Sequence, residues 1–325
     1  MRRVMLGASE IETSCLGFGC ASLGSRVGAR EGLRALADAF DKGVRWFDFA
    51  PLYGGGRAEE IGGEFLRNRV RSEVQISTKV GLLPSGGGGF GLKEAILPIA
   101  RSAVRAAPAL RKAFKSANVQ PARALDLTPE LLHESLERSL RRFGTDYVDL
   151  YALHDAKPGD VLREDTLRAL EDIVVSGKAR AVAVASSEDT AAAAIAQGRP
   201  YTAVQFPTPA PGLSLDGVAA AQSAGFGLIT HSVFGVGGAL ERMKQHMAEK
   251  PGFRALVTAR ARGGDVHEAL TQLLLERALT LNSGGVVLLS MFSEASRRQN
   301  LALADFEPSA QGSGQRLALD MAVAA

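Results

Sequence analysis

Short apolar runs alternate with longer segments of helical periodicity along most of the chain. The runs are apolar at successive positions rather than at every second one, which is typical of parallel strands buried on both faces. We predict eight such strands, at residues 14–18, 44–48, 74–79, 147–154, 179–185, 203–206, 227–231 and 286–290. Eight buried strands alternating with helices indicate an α/β fold, a (β/α)8 TIM barrel. An open doubly wound sheet is the structural alternative.

The segments between these strands place apolar residues on one helical face. Helices are predicted at residues 31–42, 57–67, 128–143, 163–176, 188–197, 214–224, 267–280 and 293–304. The third helix has clear end signals, because Thr128 can cap it, Pro129 suits its first turn and Gly144 can end it. The whole chain, residues 1–325, is therefore expected to form a single barrel domain.

Two regions fall outside the repeat. Residues 82–126 form a long insertion after the third strand, and we expect an inserted loop or lid on the carboxyl-terminal face of the barrel. The basic residues of this insertion fit a solvated helix face better than a ligand site: Arg101, Arg105, Arg111, Lys112 and Lys115. Residues 306–325 are predicted to form a C-terminal tail in which we identify no catalytic or binding residues. Specificity is expected to lie in the loops 20–30, 82–126 and 232–255.

Charge and cysteine content narrow the class of protein. Lysine and arginine number 38 against 35 acidic residues, a net charge of +3, which does not suggest nucleic-acid binding. The two cysteines, Cys15 and Cys20, do not form a disulfide framework, and reduced thiols in the cytoplasm are expected. Cys20 either lines a pocket or is a small buried residue. No signal peptide or membrane helix is predicted.

Several familiar motifs are absent or misplaced. Residues 86–91 match G-x-G-x-x-G, but no strand directly precedes them and no helix opens on them, so we reject a dinucleotide-binding fingerprint. The sequence contains no Walker loop and no G-x-S-x-G nucleophile elbow. Its five histidines lack ligand spacing with acids or cysteines, and no metal site is expected.

Four polar residues stand at or just beyond predicted strand ends: Asp48, Tyr53, Lys79 and His154. A free tyrosine has a pKa near ~10, and a neighbouring ammonium would favour its phenolate and lower that pKa. We expect Lys79 to have this effect on Tyr53, Asp48 to hold Lys79, and His154 to orient a substrate oxygen. Such a set transfers protons but lacks a nucleophile, which indicates hydride transfer with a nicotinamide cofactor.

The residues around these four positions resemble those of the aldo-keto reductase superfamily. The matching segments are residues 17–19, 46–54, 77–79, 146–150 and 177–181, and the similarity extends from about residue 3 to 305. The resemblance implies a barrel, an NAD(P) cofactor and Tyr53 as general acid and base. Residues 17–25 and 53–57, with His154 and Asp155, are similar to the branch of L-galactose and D-threo-aldose 1-dehydrogenases.

The resemblance also implies a cofactor site, with departures from the usual residues. Ala185 and Ser186 stand where the family usually has Ser-Asn to hold the nicotinamide carboxamide, although Ser186 or Ser187 could still donate a hydrogen bond. Gln205 matches the family glutamine. His231, followed by Ser232, occupies the position that stacks on the nicotinamide, where a charged imidazole would repel the oxidised ring; a rim histidine without cofactor contact is the alternative.

The adenosine end of the cofactor is expected near the last strand and helix. Ser290 and Ser296 align with the lysine and arginine that NADP-preferring members use for the 2′-phosphate. Arg297 and Arg298 could substitute, and Asn300 matches the family asparagine near the adenine. The cofactor is thus NADP or NAD, with a lean to NADP.

The sequence therefore predicts a cytoplasmic NAD(P)-dependent oxidoreductase that interconverts an aldehyde, ketone or aldose and an alcohol. Its expected partners are small-molecule carbonyl or sugar substrates, with no nucleic acid and no membrane. A catalytically degenerate nicotinamide-binding subunit or redox sensor is the alternative. The sequence does not identify the substrate, the direction of the reaction or the oligomeric state.

Overall fold

Eight parallel strands close into a barrel in the structure, a computed structural model that describes residues 1–84, 122–235, 238–261 and 264–307. The strands are β1 Arg3–Met5, β2 Glu12–Ser14, β3 Leu16–Gly19, β4 Trp46–Asp48, β5 Gln75–Val80, β6 Leu82–Pro84, β7 Ala122–Ala124, β8 Val148–His154, β9 Ala179–Ala185, β10 Tyr201–Pro207, β11 Gly227–His231 and β12 Val286–Leu289. The barrel runs β3-β4-β5-β8-β9-β10-β11-β12, and β12 pairs with β3 to close it. The predicted (β/α)8 barrel is confirmed, and the open sheet is wrong.

Helices connect the barrel strands in the described residues. They are α1 Ala29–Asp41, α2 Arg57–Leu66, α3 Pro129–Phe143, α4 Pro158–Val161, α5 Glu164–Val175, α6 Glu188–Gln197, α7 Asp216–Ser223, α8 Ala239–Glu249, α9 Pro251–Ala261, α10 Val266–Leu281 and α11 Glu294–Leu301. The end signals of α3 act as predicted. The Thr128 hydroxyl accepts from the Leu131 amide, and Gly144 ends the helix with a φ of 65°. All eight predicted helices have a counterpart here.

Three of the described helices, α4, α8 and α9, were not predicted from the sequence. The loop expected at 232–255 is wrong over most of its length, because α8 and α9 occupy residues 239–249 and 251–261. The signal was a four-residue spacing of apolar side chains, which brings Phe253 and Val257 into the core. Pro251 then opens α9 at a position that proline favours.

A hairpin of β1 and β2 was also not predicted. Its loop carries Leu6 and Ile11 into the core, where both are fully buried. Leu6 lies against Gly227 at the start of β11, so closely that a Cβ there would be 2.7 Å from its side chain. The hairpin therefore packs against the amino-terminal end of a barrel strand, opposite to the carboxyl-terminal end that carries the four polar residues.

The register of the barrel strands brings the predicted catalytic residues to one end. Asp48 is the last residue of β4 and pairs with Ser77 on β5. Lys79 lies two residues further along β5, opposite Ala152 of β8. His154 ends β8. Because all these strands are parallel, their carboxyl ends share one face of the barrel.

The insertion after β5 begins and ends as a small sheet. Strands β6 and β7 pair antiparallel, with Leu82 opposite Ala124. The segment 86–91, the basic residues between 101 and 115, and the tail beyond residue 307 lie outside the described residues. Within the described part of the chain, no helix is long and apolar enough to cross a membrane.

Candidate active site

A buried ion pair forms the base of the site. The Lys79 ammonium donates to both carboxylate oxygens of Asp48 at 2.7 Å each, and to the Phe49 carbonyl oxygen at 2.9 Å. Lys79 is 1% exposed and Asp48 3%. Two unpaired charges would not be stable at such depth, whereas these hydrogen bonds replace the water that the ammonium and the carboxylate lose. Asp48 therefore fixes Lys79 in place, as the sequence suggested.

The Tyr53 hydroxyl lies beside this pair. Its oxygen is 3.4 Å from Nζ of Lys79, and the ring is partly exposed. Tyr53 opens a short turn in which Gly54, Gly55 and Gly56 all have positive φ, at 58°, 66° and 92°. Glycine alone adopts three such conformations without steric strain. A Cβ on Gly54 would also lie 2.8 Å from the Leu23 carbonyl oxygen, so the turn is locked against the neighbouring loop.

The pKa values of Lys79 and Tyr53 follow from burial and charge together. Burial opposes the charge of Lys79, but Asp48 and Tyr53 raise its pKa above the ordinary value. Burial raises the pKa of Tyr53, and the lowering effect of Lys79 does not outweigh it. Burial is thus the larger effect and leaves the pKa of Tyr53 above its ordinary value, while Lys79 lowers that pKa as expected. The phenol stays protonated at neutral pH, ready to donate its proton.

His154 faces Tyr53 from the end of β8. The two rings lie edge to face, with centroids 6.2 Å apart. Burial, together with the charge of Lys79 and the proximity of His231, lowers the pKa of His154 to about 3. The imidazole is therefore neutral at physiological pH and can donate one hydrogen bond to a substrate oxygen while remaining uncharged.

Residues of the next three strands form what we call the candidate nicotinamide shelf. They are Ala185 and Ser186 at the end of β9, Gln205 on β10 and His231 at the end of β11. Oε1 of Gln205 on β10 is buried and has no hydrogen-bond partner in the described residues. The Ser186 hydroxyl donates to the Ala156 carbonyl oxygen at 2.7 Å, so only its lone pairs are left for a ligand. An amide such as the nicotinamide carboxamide could donate to both oxygens. These residues therefore fit the cofactor group.

His231 ends β11 and belongs to this shelf. Its Nδ1 is 2.8 Å from the Ser232 hydroxyl. Burial lowers the pKa of His231, with Lys79 adding to this and Asp48 opposing it. The imidazole is therefore neutral at physiological pH, and the charge repulsion expected from the sequence does not arise.

The candidate adenosine end lies at β12 and α11, where the two arginines differ. Arg297 donates through Nε to Asp38 at 2.6 Å and through Nη1 to the Met291 and Phe292 carbonyl oxygens, so it anchors the loop to α1. Arg298 is exposed and forms no ion pair within the described residues. Arg298 is thus the guanidinium that is available for a phosphate.

The remaining predicted residues of this region are arranged around the start of α11. Ser290 is exposed just after β12, and Asn300 is 7% exposed in the last turn of the helix. The Ser296 hydroxyl is 2.7 Å from that of Ser293, which also caps the helix through the Ser296 amide. Ser290 and Ser296 therefore place hydroxyl groups at the two positions where the resemblance implies a lysine and an arginine.

Two further residues stand close to the four. Cys20 is fully buried, with Sγ 3.7 Å from the Phe18 carbonyl oxygen, and burial next to Asp48 raises its pKa well above the ordinary value. Its interpretation as a small buried residue is confirmed. Asp155 follows His154 with a φ of 51° and an exposed side chain. A non-glycine residue held at positive φ beside a candidate site is a common mark of function.

The described residues contain no group of three or more His, Cys, Asp or Glu side chains able to hold a metal ion. The arrangement instead offers one protonated phenol, one fixed ammonium and two neutral imidazoles. This set can protonate or deprotonate an oxygen at the mouth of the barrel.

Comparison with known proteins agrees with the fold. The model of the aldo/keto reductase family matches residues 15–312, and the chain belongs to this family. An L-galactose dehydrogenase from Arabidopsis thaliana is 26% identical over 55% of the chain and 46% of its own length. A D-threo-aldose 1-dehydrogenase from Pseudomonas sp is 28% identical over 55% of the chain and 52% of its own length. The chain thus spans about half the length of these curated relatives.

Solved structures show the same fold. The aldo-keto reductase AKR11C1 from Bacillus halodurans in its holo form has a TM-score of 0.72 at 19% identity, with 100% of this chain and 97% of that one covered. An aldo-keto reductase from Klebsiella pneumoniae in complex with NADPH has a TM-score of 0.68 at 20% identity, with 100% and 96% covered. At these identities the likeness supports the barrel alone.

The ion pair gives the first prediction. Lys79→Met leaves the Asp48 carboxylate buried without a counter-charge, and we expect a loss of about 3–5 kcal/mol in the free energy of unfolding. The double variant Asp48→Asn/Lys79→Met removes both charges and should recover at least half of that loss. Urea unfolding measures both. A Lys79→Met protein as stable as the wild type would contradict the buried pair.

Proposed function

We propose that this protein is an NADP- or NAD-dependent oxidoreductase that interconverts a carbonyl compound and an alcohol. The observation that carries the proposal is the Tyr53 hydroxyl, 3.4 Å from an ammonium that Asp48 holds, with the His154 ring facing it. A phenol poised between a fixed cation and a neutral imidazole is suited to proton transfer at one substrate oxygen. It is not suited to nucleophilic or metal-assisted hydrolysis.

Each residue has a separate part in the proposed reaction. In the reducing direction Tyr53 donates its proton to the carbonyl oxygen, and the Lys79 charge stabilises the phenolate that forms. His154 donates a hydrogen bond to the same oxygen and orients it. The nicotinamide, when bound, supplies or accepts the hydride. In the oxidising direction the phenolate of Tyr53 takes the proton from the alcohol.

The residues that we expect to contact the cofactor support the same proposal. Gln205 offers a buried, unpartnered amide oxygen for the carboxamide, with Ser186 beside it. We assign Arg298, Ser290 and Asn300 to the adenosine end of the cofactor. The chain belongs to the aldo/keto reductase family, and one aldo-keto reductase of the same fold was solved with NADPH, which together favour a nicotinamide cofactor here.

An aldose is the substrate class we propose. Two relatives are an L-galactose dehydrogenase and a D-threo-aldose 1-dehydrogenase. In this chain Asp155 presents an exposed carboxylate directly after His154, where it can accept hydrogen bonds from the hydroxyl groups of a sugar. Partial loss of water around the carboxyl group raises the pKa of Asp155, and the charge of Lys79 limits this effect.

A catalytically degenerate nicotinamide-binding protein is the second candidate. The observation that favours it is the shelf at Ala185 and Ser186, where one amide side chain is missing and the serine proton is already donated to Ala156. Binding of NADPH or NADH without turnover of any aldehyde, ketone or aldose would establish this candidate and refute the oxidoreductase.

Tyr53→Phe tests the proton donor. We expect kcat for carbonyl reduction to fall by at least about a hundredfold, since general acid catalysis contributes about 10²–10⁴-fold. The affinity for NADPH, measured by fluorescence, should change less than twofold because the ring remains. A Tyr53→Phe enzyme with wild-type kcat would refute the assignment.

The pH profile gives a second check on the wild type. Because burial raises the pKa of Tyr53, carbonyl reduction should stay flat through neutral pH and fall only above about pH 10, the ordinary value for tyrosine. His154 has a pKa of about 3 and should add no acid limb between pH 5 and 8. An inflection near pH 6.5 that Tyr53→Phe does not remove, but that His154→Gln does, would contradict a neutral His154.

Arg298→Ala tests the choice of cofactor. A charge-assisted hydrogen bond to phosphate is worth about 1.5–3 kcal/mol, so KM for NADP should rise about tenfold or more while KM for NAD changes less than twofold. Arg168→Ala, which removes an exposed arginine on α5, is the control. Equal changes in both KM values would exclude Arg298 as the phosphate contact.

Asp155→Asn tests the substrate class. The substitution keeps the shape and removes the charge, so kcat/KM for an aldose should fall by about tenfold, the loss of one charge-assisted hydrogen bond. An aldehyde without hydroxyl groups, such as benzaldehyde, serves as the internal control and should react as with the wild type. Parallel losses on both substrates would remove Asp155 from sugar recognition.

A further inference from the structure

A second buried carboxylate lies behind the site and takes no part in the proposed chemistry. Glu59 on α2 is 0% exposed. Its Oε1 accepts from the Thr78 hydroxyl at 2.7 Å, and its Oε2 accepts from Nη1 of Arg142 at 2.7 Å. A carboxylate at this depth is stable only while both partners are present. Glu59 therefore ties together two parts of the chain that are distant in sequence.

The first tie is to the strand that carries Lys79. Thr78 and Lys79 are neighbours on β5, and adjacent side chains of a strand point to opposite faces. Lys79 points into the barrel towards Asp48, so Thr78 points outward to α2, where it donates to Glu59. The bond to Glu59 holds the backbone of β5 at the position that supplies the ammonium.

The second tie is to the turn that carries Tyr53. The Arg142 guanidinium lies against Gly56, so closely that a Cβ at Gly56 would be 2.7 Å from Cζ of Arg142. Gly56 ends the turn that Tyr53 begins, and its φ is 92°. The guanidinium, held by Glu59, thus limits where this turn can lie.

The helices that supply these groups are themselves in close backbone contact. A Cβ at Gly63 of α2 would lie 2.3 Å from the Arg142 carbonyl oxygen, and one at Gly62 would lie 2.9 Å from the Phe143 ring. Only glycine permits α2 to approach the end of α3 so closely. The backbone of Arg142 is therefore held in place by α2, and its side chain is held by Glu59.

From this geometry we propose that Glu59 and Arg142 are positioning residues that set the separation of the Tyr53 hydroxyl and the Lys79 ammonium. The pair acts through Gly56 on one side and Thr78 on the other. The inference rests on the proposed function of Tyr53 as proton donor. Loss of either charge should let the turn move away from β5, which lengthens the contact between Tyr53 and Lys79 and weakens proton transfer.

Three variants test the proposal. Arg142→Met removes the charge and keeps an apolar stem, Arg142→Lys restores the charge without the flat group, and Glu59→Gln keeps the bond to Thr78 while removing the charge that holds Arg142. Arg138→Met is the matched control, because Arg138 is one turn earlier on α3 and pairs with the exposed side chain of Glu134. Should Arg142→Met fail to fold, Glu59→Gln carries the test.

Two kinds of readout separate positioning from general loss of structure. We expect kcat to fall about ten- to a hundredfold in Arg142→Met and Glu59→Gln, as for a misplacement of about 1 Å, while the Kd for NADPH changes less than twofold. Arg142→Lys should recover part of kcat. Wild-type kcat in both charge-removing variants, or an equal loss in Arg138→Met, would overturn the proposal.

The second readout needs no substrate. Fluorine NMR of protein labelled with 3-fluorotyrosine follows the ionisation of Tyr53, whose signal is identified by its loss in Tyr53→Phe. Since Lys79 favours the phenolate, a longer contact should raise the pKa of Tyr53 by about one pH unit in Arg142→Met and Glu59→Gln. An unchanged pKa overturns the positioning role even if no substrate is found. Absence of turnover by the wild type overturns only the proposed function.

Discussion

The ion pair of Lys79 and Asp48 is the interaction on which the rest of the site depends. Both groups are almost completely buried, and their removal from water is offset chiefly by the bonds between them and to the Phe49 carbonyl oxygen. This requires β4 and β5 to end in a fixed register, which the closed barrel supplies. Once the ammonium is fixed, it sets the charge seen by both Tyr53 and His154.

The buried cation has opposite consequences for its two neighbours. It favours the phenolate of Tyr53, yet burial still raises the pKa of that phenol, so the group is a proton donor at rest. It disfavours the imidazolium of His154, in the same direction as burial, so that ring stays neutral. The same charge thus allows Tyr53 to act as an acid and keeps His154 a neutral hydrogen-bond donor. This arrangement suits the transfer of a single proton to an oxygen.

The sequence predicts the barrel and the gathering of the four residues because both depend on local pattern. Buried parallel strands are apolar throughout, and residues at their carboxyl ends meet by topology. The direction of the pKa shift of Tyr53 could not be predicted, since burial raises this pKa and the Lys79 charge lowers it, and only the structure shows which effect is larger. Nor could the role of Arg297, whose partner Asp38 lies 259 residues away in the sequence. Helices α8 and α9 could have been predicted, because their apolar residues recur at a helical spacing.

A crystal structure of the protein with NADP bound would show whether the carboxyl ends of the strands hold the cofactor beside Tyr53. We expect the nicotinamide carboxamide to lie within hydrogen-bond distance of Oε1 of Gln205, and the nicotinamide ring to face Tyr53 and His154. A cofactor bound away from the carboxyl ends of the strands, or a ring turned away from Tyr53, would contradict the proposed site.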